Sequence, residues 1–235
     1  MITTNKLSDL GIHEDSRILV IMPHPDDEAI FIGGLLHKLT QAHIRTRVIT
    51  MTAGEKSTLR YGLSVRDNLA RVRKKELAHA FTILGISDFS ILGFPDGGLE
   101  KLEKHIVEII TKEILLLKPT HIISLEPDGV YGHPDHIALT SYVKRAAKKP
   151  IRLLYATVSP HYALPSASWM AKKKYITPLL PDIKLQLTPR DIITKLRALK
   201  AHRSQFVSPV YRLPFELSFF IKNDMLAHEF YAFGN

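Results

Sequence analysis

The five residues His24-Pro25-Asp26-Asp27-Glu28 follow directly on the apolar run Ile18-Leu19-Val20-Ile21-Met22 and join an imidazole to three carboxylates. A catalytic zinc site takes three protein ligands from histidine and carboxylate and keeps one position for water, whose pKa falls to about 7. A second cluster, His133-Pro134-Asp135-His136, follows another apolar run, Ile122-Ile123-Ser124-Leu125, so a sheet can bring the two together. His24, Asp27 and His136 make a ligand set. Asp26, beside a ligand yet uncommitted, is placed to take a proton from the water as general base. Asp135 can hydrogen-bond a ring nitrogen and fix a histidine tautomer. His133, if protonated, can face charge developing on a substrate. The chemistry is that of a metal hydrolase.

A plainer reading competes with it. Asp26, Asp27 and Glu28 suit the start of a helix, where carboxylates cap free N–H groups and meet the positive end of the dipole. Pro134 suits the first helical position. What favours the metal is the pairing of two His-Pro-Asp clusters, each behind an apolar run, where an open parallel sheet places its ligand crevice. Nucleotide chemistry is excluded, since no Gly-x-Gly-x-x-Gly turn follows the first run and no Gly-Lys-Ser or Gly-Lys-Thr loop is present. A Ser-His-Asp hydrolase lacks its Gly-x-Ser-x-Gly elbow.

The elements that must position these residues alternate. Apolar runs at 17–22, 45–51, 89–92, 121–125 and 153–158 read as strands buried on both faces, and periodic segments at 30–41, 69–84, 102–117 and 137–147 as the helices between them. Gly33-Gly34 suits close packing of the first helix on the sheet. This rhythm predicts an α/β, Rossmann-like fold, a mostly parallel open sheet with helices on both faces. The last third, from about 159, is more irregular. Thr188-Pro189-Arg190-Asp191 reads as a capping box that opens a helix with Ile192, Leu196 and Leu199 on its buried side, ending near His202 and Gln205. The stretch 159–175, with Trp169, reads as a long loop at the site mouth, a lid or a contact between copies in a homo-oligomer. Phe215, Leu217, Phe219, Phe220 and Ile221 are expected to pack on the core.

At 235 residues the chain is long enough for one domain, 1–235, with a full core. It has no cysteine, so any metal must be held by histidine and carboxylate. No apolar run reaches the roughly 20 residues of a membrane span, and the first sixteen residues lack a signal-peptide core, so a soluble cytoplasmic protein is expected. The formal charge is +9, from 32 basic and 23 acidic residues, which favours an anionic substrate. The basic residues at 71–75, 144–149 and 172–174 are dispersed with little aromatic interleaving, which argues against nucleic acid.

Six blocks give the chain a resemblance from about residue 17 to about residue 205. They are Pro23-His24-Pro25-Asp26-Asp27-Glu28, Thr52-Ala53-Gly54-Glu55, Arg73-Lys74-Lys75-Glu76-Leu77, Phe94-Pro95-Asp96-Gly97-Gly98, Tyr131-Gly132-His133-Pro134-Asp135-His136 and the segment from Lys195 to Gln205. With them the chain resembles the zinc-dependent N-acetylglucosaminyl deacetylases, the LmbE-like or PIG-L-like family. The resemblance implies zinc, or iron(II) in its place, on His24, Asp27 and His136, with Asp26 as general base. It implies that His133 stabilises the tetrahedral intermediate or protonates the leaving amine and that Asp135 orients it. Arg73, Asp96 and Tyr131 then contact substrate, an N-acetylated sugar. Lys56 departs from the family, many of whose members have glycine after the Gly-Glu pair. Two alternatives stay open, a hydrolase of another small N-acyl compound and a sugar-binding module of the same fold without turnover.

Overall fold

Why the apolar runs are strands is visible in the two sides they cover. In β2 (Arg17–Met22), Ile18, Val20 and Met22 join one core cluster while Leu19 and Ile21 join another. The strand is therefore buried on both faces, as the sequence requires of a parallel sheet. The computed structural model describes residues 1–161, 176–206, 220–221 and 223–234. Their sheet has eight strands: β1 (Ile2–Thr4), β2, β3 (Arg45–Thr52), β4 (Phe89–Phe94), β5 (His121–Leu125), β6 (Arg152–Thr157), β7 (Ile183–Gln186) and β8 (His228–Gly234). Their order is β1-β7-β8-β6-β5-β2-β3-β4, and all pairs are parallel except those of β8 with β6 and β7. The chain winds from β2 outward through β3 and β4, then returns to β5 on the other side of β2 and continues to β6. The strand order thus reverses between β2 and β5.

The helices take both faces. On one lie α1 (Asp27–Gln41), α2 (Leu69–Leu84) and α6 (Pro189–Ala201), whose Leu35, Phe81 and Leu199 enter the first cluster. On the other lie α3 (Glu103–Leu117) and α5 (Pro134–Ala146), with Ile106, Ile110 and Leu139. The described residues also hold two short α-helical segments, α4 (Gly129–Gly132) and α7 (Arg203–Phe206). No helix among the described residues is long and apolar enough to cross a membrane.

The capping box is formed as expected. Thr188 Oγ1 accepts from Asp191 N, and Asp191 Oδ2 accepts from Thr188 N at 2.8 Å. Such a cap stabilises a helix by about 1 kcal/mol. Gly34 permits a close approach to the link between β7 and α6: a Cβ there would lie 2.4 Å from Leu187 Cδ2. Here Glu229 of β8 accepts from the backbone N–H groups of Gly34 and Leu35 at 2.7 and 2.8 Å and from Lys195 Nζ at 2.8 Å. Breaking one side of such a buried pair costs about 3–5 kcal/mol. This network ties the last strand to the first helix.

Strands β1, β7 and β8 add to the five read from sequence, and α1 starts three residues earlier than its apolar period indicates. Phe220 is buried as expected, whereas Ile221 is exposed. Phe215, Leu217 and Phe219, the lysines at 172–174, and the 162–175 part of the expected loop with Trp169 lie outside the described residues.

Candidate active site

Strands β2 and β5 are hydrogen-bonded neighbours, with Val20 opposite Ile123. The turns leaving their carboxyl ends share the crevice at the point where strand order reverses, the place an open α/β sheet offers a ligand. The first turn is unusual. Asp26 stands at the helix start with φ +103 and caps nothing with its side chain. Such a backbone is rare outside glycine and needs support. Glu28 supplies it by accepting from Asp26 N at 2.9 Å with Oε2, while its Oε1 accepts from His202 Nε2 at 2.7 Å. Glu28 and His202 are both fully buried. Burial pushes the His202 pKa down, but Glu28 and Asp26 outweigh it and hold the imidazole above its usual value.

Arg73, buried in α2, closes the turn from the other side. Its guanidinium donates to Gly54 O at 2.7 Å, to Pro25 O and to Asp26 Oδ2 at 3.0 Å. Burial pushes the Asp26 pKa up to about 6 against the pull of Arg73, and the like charge of Asp27 adds to the rise. The result is a carboxyl held in place with an affinity for a proton near neutrality.

The second turn is ordinary at its helix and strained just before it. His133 is the N-cap of α5, its Nδ1 accepting from Asp135 N at 3.2 Å, and Pro134 takes the first helical position. The capping reading therefore describes this cluster and not the first. Val130, at φ +66, is held by Glu126, which also accepts from Asp128 N at 3.1 Å. A β-branched residue there marks real strain, and it sets Gly129 O and Tyr131 beside the crevice.

Three donor atoms meet between the turns. His24 Nδ1 is 3.3 Å from Asp27 Oδ2 and 3.2 Å from His136 Nε2, and the last two are 3.5 Å apart. Bonds of about 2.0–2.1 Å to a tetrahedral zinc put adjacent donors about 3.3–3.4 Å apart. The triangle fits. The outward nitrogens explain why the inward ones are bare. His136 Nδ1 faces Gly129 O at 3.2 Å, an acceptor only, so the proton of the neutral ring is on Nδ1 and Nε2 presents its lone pair. Burial lowers the His136 pKa to about 3, which keeps the ring neutral. His24 Nε2 faces Asp135 Oδ2 and Asp96 Oδ1, each at 3.2 Å, and must donate. Two imidazole acceptors and a carboxylate then converge on one point, an arrangement that calls for a cation. Burial depresses the His24 pKa, but hydrogen bonds to Asp135, Asp27 and Asp96 raise it well above its usual value.

Other groupings are close. His24, His133 and His136 have donor atoms within 4.8 Å of one another, as do His24, Asp96 and Asp135. The hydrogen bonds separate them. With Nδ1 accepting from Asp135 N, a neutral His133 carries its proton on Nε2 and offers a donor, not a lone pair. Asp135 also accepts from Gly97 N at 2.7 Å and Leu99 N at 3.1 Å, and Asp96 from Lys56 N at 2.8 Å, so both carboxylates are fixed behind His24.

A cavity of about 530 Å³ opens onto this cluster, lined by Asp26, Lys56, Arg73, Asp96, Tyr131 and His133 among others. All nine residues singled out in the sequence are thus gathered around one crevice, but besides Asp96, which meets His24 and Lys56 N, three have surroundings the sequence does not announce. The Asp135 carboxylate is directed to His24, and only its backbone N–H meets His133. Arg73 is spent on Asp26 and two carbonyls. Burial and the charge on His24 lower the His133 pKa, so the ring offers Nε2–H rather than a full positive charge. The sequence reading underrated Glu28 and His202, whose signal was their place in the first and last blocks. Gln205, whose Oε1 accepts from Ser57 Oγ at 2.7 Å, lines the cavity too.

The family profile of PIG-L, described as GlcNAc-PI de-N-acetylase, matches residues 19–147. The chain is 31% identical over 208 residues to a probable N-acetyl-alpha-D-glucosaminyl L-malate deacetylase 2 of Bacillus anthracis, covering 85% of each chain. It is 29% identical over 226 residues to a 1D-myo-inositol 2-acetamido-2-deoxy-alpha-D-glucopyranoside deacetylase of Saccharomonospora viridis, covering 80% of this chain and 84% of that one. In fold it is similar to the N,N'-diacetylchitobiose deacetylase of Pyrococcus horikoshii, with a TM-score of 0.66 at 22% identity over 93% of this chain and 84% of that one.

Proposed function

The chain belongs to the PIG-L family, and from that premise we propose that it is a metal-dependent hydrolase removing the N-acetyl group from a glucosamine-type sugar or glycoconjugate. The observation that carries the reading is the triangle of bare donors beside a buried carboxyl. His24, Asp27 and His136 would hold the metal, zinc or iron(II). When bound, it supplies Lewis-acid polarisation of the amide carbonyl and an acidified water.

The remaining chemistry falls to the chain's own residues. Asp26 Oδ1, with Oδ2 fixed by Arg73, takes the proton of the attacking water and later delivers it to the leaving nitrogen. Arg73 keeps that carboxylate aimed and is a positioning residue. His133 donates Nε2–H to the oxygen on which negative charge develops, an interaction stronger in the transition state than in the substrate. Asp96 and Asp135 hold His24 in the tautomer that leaves Nδ1 free, and Tyr131 borders the acyl group. At the rim stands Lys56, an exposed cation that forms no ion pair among the described residues. It supports an anionic group on the substrate.

The test is acetate release from a panel of N-acetylated sugars by metal-stripped protein, alone and after addition of zinc or iron(II). Activity restored by metal on at least one N-acetylglucosaminyl compound is expected. Metal binding without turnover across the panel would sink the reading. Lys56→Ala should raise KM for acidic substrates by about 3- to 10-fold and leave neutral ones unchanged.

A further inference from the structure

A second cavity, of about 630 Å³, lies at the opposite end of the sheet. The five- and six-residue strands β2, β5 and β6 separate it from the crevice by roughly 17–20 Å. Its floor is made by the first residues of three neighbouring parallel strands. Arg17 opens β2, His121 opens β5 and Arg152 opens β6, with His121 paired to Ile18 on one side and to Arg152 on the other. Lys118, just before β5, also lines it, and among the described residues the one carboxylate in the lining is Asp15.

These cations are arranged but not neutralised. Arg17 Nε donates to Lys118 O at 2.7 Å, which fixes the guanidinium and leaves its terminal nitrogens. Arg17, Lys118 and Arg152 form no ion pair among the described residues. Gly11, at φ +75, gives Arg152 its room: a Cβ there would stand 1.8 Å from Arg152 Nη1.

His121 supplies an independent sign. Its side chain is 3% exposed, yet its Nε2 has no hydrogen-bond partner among the described residues. Thr120 Oγ1 accepts from Arg17 N at 3.0 Å and contacts His121 Nδ1 at 2.8 Å, closer than its 3.2 Å contact to Arg17 O. When the hydroxyl gives its proton to Nδ1 rather than to Arg17 O, the ring's own proton sits on Nε2. Burial and the neighbouring Arg152 hold the His121 pKa down at about 4, so the ring is a neutral donor. The Gly11 backbone is near enough to raise that pKa in part, against burial and Arg152. A buried donor left open costs free energy unless a ligand completes it.

We propose that this cavity binds a small dianionic oxyanion, a phosphate monoester, with His121 Nε2–H donating to one oxygen and the guanidinium groups of Arg17 and Arg152 to the others. Planar guanidinium forks suit phosphate geometry. Ile114 and Leu115 on the rim give the ester's organic part an apolar edge.

Inorganic phosphate is the probe, and backbone amide NMR shifts of Gly11, His121 and Arg152 in the metal-loaded full chain are the readout. We expect saturable shifts below about 10 mM phosphate, weakened at least about 10-fold in R152E, an exposed substitution that should leave deacetylation unchanged. H121L should lose the site and H121Q, which keeps a donor in place of Nε2, should retain it. Shifts that fail to saturate, that persist in R152E, or that chloride at equal ionic strength reproduces would each overturn the proposal. Because the readout is local binding, its failure is separate from failure of the deacetylase reading.

Discussion

The two His-Pro-Asp triplets have the same sequence and divide the work of the site differently. In the first, the helix begins after the triplet, at Asp27, so His24 reaches the donor triangle and Asp26 is left on a strained backbone at the cavity wall. In the second, the helix begins inside the triplet, at Pro134, so His133 is turned into a cap and His136, one residue beyond, reaches the triangle. The aspartates part in the same way: Asp26 faces the cavity, while Asp135 is folded behind His24. Where the helix starts, not which residues are present, decides which side chain joins the triangle, which faces the cavity and which stands behind His24.

That division can be broken from either side. The largest effect is expected from His136→Ala, which should lose the metal and with it all metal-dependent turnover, since two ligands hold zinc poorly; full metal content by elemental analysis would show another residue in its place. Asp26→Asn should keep the metal and lower kcat by about 100- to 10,000-fold, as loss of a general base does. Retained activity would remove the distinction drawn between the two aspartates.

His133→Ala should keep its metal and lose about 100- to 1,000-fold in kcat, with KM little changed, as when an oxyanion donor is removed. Loss of metal in that variant would make His133 a ligand. The smallest effect sharpens the comparison: Asp135→Asn should weaken metal affinity by about 10- to 100-fold, because its carboxylate holds the His24 tautomer. A metal titration showing unchanged affinity and a fall in kcat alone would assign Asp135 to His133 instead.

The legible part of this site was the part carried by local pattern. Continuous apolar runs gave β2 and β5 to the residue, and the clusters behind them supplied the triangle. Partners far along the chain stayed hidden. The resemblance makes Arg73 a substrate contact, but its bond to Asp26, 47 positions away, has no local signal in the sequence. Strand β8 was missed because Glu229 interrupts its apolar run, and the charge is tolerated through Lys195, the amides of α1 and the Tyr231 hydroxyl. Strand β1 has three residues, too few for a period to show.

Glu28 links the two ends of the chain, with Asp26 N on one oxygen and His202 on the other. A chimaera that joined the amino-terminal two thirds of this protein to the carboxyl-terminal third of a relative would inherit a buried carboxylate whose counterpart belonged to the discarded piece. Recombination across that boundary is therefore constrained: histidine at 202 must travel with glutamate at 28, or both must be exchanged together, even though neither lines the cavity.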